Sequence, residues 1–343
     1  MHNFKKVACS AVATVLVFVL ISSLVITPYL NSETAYYQDN RLRSDLAGTI
    51  DCIVLGSSQG LAAIDPRVLD AELGCCSYNL STISMTLDNK YSILEKEIRR
   101  NPADTVILEI SFDTLARIEM EEFAQGDEIA ITRLDTMMER LTYLVKYVKF
   151  DTWLDMYSRL FVSGMSYCMN ALLGNASSDI DVEAKGFLHR DSVDLTLSED
   201  QIPERRDAQK AAADYPEENV EKFSRLIELC KSHGSRVIVV TVPVSDAKIW
   251  SRYGWDEIRD WISAYCAVQD CEFYDLNLLV DRYSLFNDRV SFYDEGHMSG
   301  VGAAACTEAL CNIINRVDAG EDISALFYDS YAQMKQDSPY AIP

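Results

Sequence analysis

The sequence predicts an α/β protein, a three-layer sandwich in which helices cover both faces of a parallel sheet. Three observations predict it. Short apolar runs such as Ile50–Leu55, Thr105–Ile110 and Arg236–Val242 are almost continuous rather than alternating, which marks strands buried on both faces. Helical patterns separate these runs, and strands alternating with helices make parallel sheets. The punctuation agrees: Gly234 stops a helix and Pro243 ends a strand. At 343 residues the chain is long enough for one large domain with an insertion, or for two domains.

In chain order, the first element is expected in a membrane. Lys5 and Lys6 precede Val7–Ile26, a run without a charge that at about 1.5 Å per residue spans roughly 30 Å, one bilayer core. Lysines on the N-terminal side alone favour that end inside, placing everything after Pro28 outside the cytoplasm. A cleavable signal peptide is the rival, but the run is long for its apolar core and lacks a clear A-x-A site. Residues 1–27 are therefore read as an uncleaved transmembrane signal-anchor. Residues 28–48 are polar and of mixed charge, and read as a stalk.

The strands expected next are Ile50–Leu55, Cys76–Leu80, Thr105–Ile110, Arg236–Val242 and Glu272–Leu276. Helical spacing covers Leu61–Leu73, Leu87–Arg100, Glu217–Ser232, Trp255–Val268 and Val301–Val317. Residues 49–114 and 216–318 thus form one discontinuous domain, followed by a tail, 319–343. Between the halves, residues 115–215 read as a helical insertion. Leu134, Met137, Leu141, Leu144 or Val145, and Val148 recur at helical spacing, and Trp153–Leu173 is strongly apolar, before an irregular acidic stretch, Ser177–Glu218. These helices are expected to pack on the sandwich; a lid, or a surface facing a membrane partner, is the alternative.

The formal charge of −22 argues against nucleic acid as a partner, and against a basic face for anionic lipid. The ten cysteines show no paired C-x-x-C or histidine spacing, so no metal site is expected and most read as small core residues. Cys266 and Cys271 are spaced so that they could bridge a helix end to a strand.

Two short stretches carry chemistry. Val54-Leu55-Gly56-Ser57-Ser58-Gln59-Gly60 ends a strand and opens a helix, the place where an α/β enzyme exposes a nucleophile. The unpaired N–H groups there can stabilise an oxyanion, although a serine can equally well serve only as a helix cap. Of the four histidines, only His297 lies beyond the last strand and before the last helix, on the rim where Ser58 lies. Asp294, three residues earlier, can hold its imidazole in the tautomer that makes it a base.

Gly56-Ser57-Ser58 together with Asp294-x-x-His297 resembles the first and last blocks of the SGNH (GDSL-type) hydrolases. The resemblance covers roughly residues 50–115 and 216–318, and implies a flavodoxin-like sandwich with Ser58 as nucleophile, His297 as base and Asp294 as orienting acid. Ser57 stands where the family usually has aspartate. Ser84, in Asn79-Leu80-Ser81-Thr82-Ile83-Ser84, stands where it usually has an oxyanion glycine, and its N–H would join that of Ser58. Ser111-Phe112-Asp113 stands where it usually has Gly-x-Asn-Asp, so Ser111 and Asp113 are accessory candidates and the asparagine donor is missing. The insertion is similar to those of membrane-anchored members such as the lipoteichoic-acid D-alanyl transfer protein.

The expectation is an anchored, extracytoplasmic serine esterase or O-acyltransferase, needing no cofactor. An acylated envelope glycan, polyol or teichoic-type polymer would be its substrate. A membrane-bound O-acyltransferase as partner is implied by the resemblance alone. A lipid esterase and a catalytically silent glycan-binding or assembly subunit are the alternatives. The altered Gly-x-Asn-Asp block favours the silent subunit, and the retained Ser58, Asp294 and His297 speak against it.

Overall fold

The five apolar runs become five strands of one sheet, all parallel: β1 (Cys52–Leu55), β2 (Ser77–Asn79), β3 (Thr105–Glu109), β4 (Arg236–Thr241) and β5 (Glu272–Asp275). A computed structural model describes residues 20–32, 34–35, 38–111, 114–115, 123–174, 184–196, 209–210 and 215–339. The strand order is β2-β1-β3-β4-β5, so the chain reverses direction across the sheet beside β1. In open α/β sheets the crevice at such a reversal is where ligands bind.

Side chains alternate between two apolar layers along each strand, as the pleat requires. Ile53, Leu55, Val106, Leu108, Val237 and Val239 enter one layer; Cys52, Val54, Ile107, Ile238 and Val240 enter the other. The helices include α1 (residues 20–30), α2 (Ser58–Ala63), α3 (Pro66–Leu73), α4 (Leu87–Arg100), α5 (Phe123–Thr132), α6 (Met137–Tyr147), α7 (Trp153–Leu172), α8 (Glu217–Ser232), α9 (Asp246–Trp250), α10 (Trp255–Val268) and α11 (Gly300–Asp318). The first layer is closed by α4, α8 and α10, the second by α2, α3 and α11.

Several expectations are refined. The helix read over Leu61–Leu73 is two helices, because Pro66 lacks an N–H and can only begin a helix. Asp65 caps that second start, accepting from Arg67 N at 2.9 Å. Cys266 and Cys271 are free thiols, and a backbone bond from Cys271 N to Cys266 O at 3.0 Å closes the turn between them. The tail lies on the sandwich: Tyr331 stacks on Trp255 and donates to the buried Asp275 at 2.8 Å.

Residues 1–19, most of the expected anchor, lie outside the described residues. Among those described, no helix is long and apolar enough to cross a membrane. The stretch read as a stalk is fastened to the body. Leu30 is buried, Leu42 and Leu46 pack against the first layer, and buried Arg43 pairs with buried Glu97 at 2.7 Å.

Candidate active site

The turn after β1 is built by close approach. A β-carbon on Gly56 would lie 2.5 Å from Glu109 Oε2 and 2.7 Å from Glu109 Cβ, so only glycine lets β3 come this near. Gly60, one helical turn on, is similarly tight, 3.0 Å from both Glu109 Cβ and Ser81 Oγ. Glu109 is fully buried, and its Oε2 accepts both the Ser57 N–H (2.6 Å) and the Ser57 hydroxyl (2.9 Å). Ser57 Oγ in turn accepts from Gln59 N at 3.3 Å, capping α2.

These bonds settle the N–H groups around Ser58. Ser57 N–H goes to Glu109 and Gln59 N–H to Ser57 Oγ, while Ser58 N–H, at the first position of α2, makes no hydrogen bond among the described residues. A helix leaves its first N–H groups free in this way. Here the free one belongs to the residue whose hydroxyl faces the base.

The hydroxyl's partner, His297, comes from the other end of the chain. Phe292–Asp294 and His297–Met298 form a two-stranded hairpin, β6 and β7, leading into α11. Asp294 Oδ1 accepts from the backbone N–H of Gly296 and of His297, each at 2.9 Å, which closes the hairpin turn. The same carboxylate meets His297 Nδ1 at 2.8 and 2.9 Å, and His297 Nε2 lies 2.7 Å from Ser58 Oγ. Burial pushes the Asp294 carboxyl up, but the hydrogen bond and charge of His297 and the two N–H bonds outweigh it and hold it below its ordinary value. A charged Asp294 accepts the Nδ1 proton, leaving Nε2 to accept a hydrogen bond from the Ser58 hydroxyl. Ser299 caps α11, accepting from Gly302 N at 3.2 Å and donating to Val290 O at 2.6 Å.

The other expected residues are placed less directly. Ser84 has φ +53°, the left-handed region that glycine enters freely, and its N–H is unengaged among the described residues. Its conformation is set by α5, where Gly126 leaves room: a β-carbon there would lie 2.4 Å from Ser84 O. The residue of this loop that abuts the turn is Ser81. Ser111 bonds Thr114 Oγ1 at 2.7 Å and, with Gln59, Thr241, Lys248 and Trp255, lines a small cleft. Asp113 and Phe112 lie outside the described residues.

Two contributors escaped sequence reasoning. Glu109 read as part of an apolar strand, though a carboxylate closing such a run was a signal. The irregular segment 184–196 straps the site together. Leu188 N donates to Leu61 O on α2 (3.0 Å), Gly300 N of α11 donates to Arg190 O (2.8 Å), and Val193 N donates to Phe292 O of β6 (2.9 Å). It thus ties the nucleophile helix to the histidine hairpin through backbone bonds, which leave no pattern in a sequence.

No family model and no curated protein matches this chain. Similar solved structures include a Bacteroides fragilis protein provisionally named an acylhydrolase, at 8% identity, covering 83% of this chain and 99% of that one with a TM-score of 0.36. They also include the lipase/acylhydrolase of Enterococcus faecalis, at 14% identity, covering 79% and 96% with a TM-score of 0.35. Likenesses this remote carry no argument about activity, and the site stands on its own geometry.

Proposed function

We propose that the chain is a serine esterase or O-acyltransferase of the SGNH type. The single observation that carries this reading is the hydrogen-bonded line Asp294–His297–Ser58 at a helix N-terminus whose first N–H is unengaged. In this mechanism Ser58 Oγ attacks an acyl carbonyl as its proton passes to His297 Nε2, and Asp294 stabilises the imidazolium. The Ser58 N–H, with that of Ser84, receives the oxyanion. Collapse of the intermediate returns the proton from His297 to the departing alcohol oxygen and leaves an acyl-serine. Water or a second hydroxyl, deprotonated by His297, then takes the acyl group. Every step is a proton or acyl transfer that these side chains can perform without a cofactor.

The reading extends to a protein anchored by residues 1–27 with its bulk outside the cytoplasm, acting on acyl esters of an envelope glycan, polyol or teichoic-type polymer. The charge-free run behind Lys5 and Lys6 supports the placement; the resemblance supports the substrate class and an O-acyltransferase partner. A fluorophosphonate probe tests the core of the proposal. Wild type should be labelled and Ser58→Ala should not, with loss of short-chain ester cleavage in parallel. Absence of labelling in a folded wild type with an intact Ser58 would favour the silent binding subunit.

A further inference from the structure

We propose that α1 and α7 form a membrane-contact face that lies against the lipid bilayer, so that the sandwich is seated on the membrane rather than hung from it. Among the described residues, eleven of the twenty-one exposed large hydrophobics fall within residues 20–24 and 150–173. Only three of the twenty residues of α7 are buried: Met156, Leu160 and Gly164. From Leu160 to Leu173 the helix carries no charge, and it leaves Val162 64%, Leu172 87% and Leu173 67% exposed. An apolar surface this concentrated is a site of contact, since scattered single residues are the ordinary case.

The partner of α7 says what covers the rest. It is α1, running parallel to it and continuing the charge-free run from Val7 to Ile26. The backbones touch at Gly164, where a β-carbon would lie 2.6 Å from Val25 O. The Ser22 and Tyr157 hydroxyls bond to each other, and buried Glu128 of α5 accepts from Tyr29 of α1 (3.1 Å) and from Ser163 of α7 (2.6 Å). A small-residue contact with hydrogen bonds across it is how helices pair where lipid surrounds them. Leu20 and Leu24 on α1 are 60% and 65% exposed, so α1 too presents apolar side chains outward, within the segment read as membrane anchor.

The occupant is therefore lipid. The packing of Leu30, Leu42, Arg43 and Leu46 on the body then holds α1 close to the sandwich, and Ser58 works at a set height over the leaflet. A substrate presented at the membrane surface is the one such an enzyme meets.

The test uses the full chain in phospholipid vesicles carrying a clickable acyl chain. A benzophenone amino acid replaces Val162, Leu172 or, as an exposed control on α10, Val268. Photolysis should give lipid adducts at 162 and 172 several-fold above those at 268. Lipid adducts no higher than the control, in protein that still resists carbonate extraction, would show anchoring by residues 1–19 alone and overturn the proposal. Adducts to a membrane protein in native membranes, with none to lipid, would overturn it in favour of a protein partner. Neither outcome depends on whether Ser58 is a nucleophile.

Discussion

The turn from Gly56 to Gly60 and the helix α7 are packed in opposite ways. At the turn, Glu109 is fully buried with its Oε2 occupied by Ser57, and glycines are required by contacts of 2.5–3.0 Å. Along α7, three of twenty residues are buried, and Leu154, Val162 and Leu172 are 79%, 64% and 87% exposed. Close packing is concentrated where an oxygen and a nitrogen must be held to tenths of an ångström. Where it is absent, apolar composition answers to a surrounding other than the protein core. Substitution should therefore be costly at the turn and nearly silent in α7 when no membrane is present.

The largest contrast is chemical. Ser58→Ala should lower turnover at least about a thousandfold, the scale of removing a member of a triad. Ser57→Ala should cost only about tenfold, since it loosens the cap and one bond to Glu109 while leaving the nucleophile. Steady-state kinetics on a chromogenic ester decide; an inactive Ser57→Ala beside an active Ser58→Ala would reverse the roles.

A second buried carboxylate at a strand end sharpens the comparison through pH. Burial pushes the Asp275 carboxyl up to about 6, against the lowering effect of Tyr331 and Asn277. The folded protein then holds a proton that the unfolded chain releases near pH 4, so stability is fullest below that point and falls as pH rises to about 6. The loss is at most about 3 kcal/mol, by the linkage of two pKa units to free energy. Chemical denaturation at pH 4 and 7 should show the fall in wild type and a smaller one in Asp275→Asn.

Smaller effects should follow from crowding the turn or emptying it. Gly56→Ala forces a β-carbon into Glu109 and should destabilise by about 1–3 kcal/mol, as overpacking of a tight core does. Glu109→Ala leaves the Ser57 N–H buried without an acceptor, a penalty again of about 1–3 kcal/mol, and should lower kcat more than it raises KM. Denaturant midpoints and kinetics on the same preparations measure both; an unchanged midpoint in Gly56→Ala would mean that the turn has slack the contacts deny. Least of all, Leu172→Ser in detergent should change stability by under about 0.5 kcal/mol, as exposed substitutions do. A marked loss there would show that α7 has a protein partner after all.

The parts legible in the sequence are those encoded within a few neighbouring residues. All five strands lie within the apolar runs that announced them, because a strand buried on both faces needs consecutive apolar residues. The turn that carries Ser58 and the position of His297 were readable for the same reason. Gly-Ser-Ser after a strand and Asp294-x-x-His297 at a hairpin are each short enough for their own spacing to set their geometry. Even the break at Asp65-Pro66 was written there, in a capping residue followed by a proline.

What only the tertiary structure decided concerns groups far apart in the chain. The 2.7 Å approach of His297 to Ser58 spans 239 residues and exists because α2 and α11 share one layer of the sandwich. Glu109 serves the turn because β3 lies beside β1, a pairing that no local pattern specifies. The strap 184–196 acts through main-chain N–H and carbonyl groups, which every residue carries alike. The exposure of α7 likewise depends on which faces its neighbours leave uncovered. Periodicity says that a helix has an apolar face, and packing decides what that face meets.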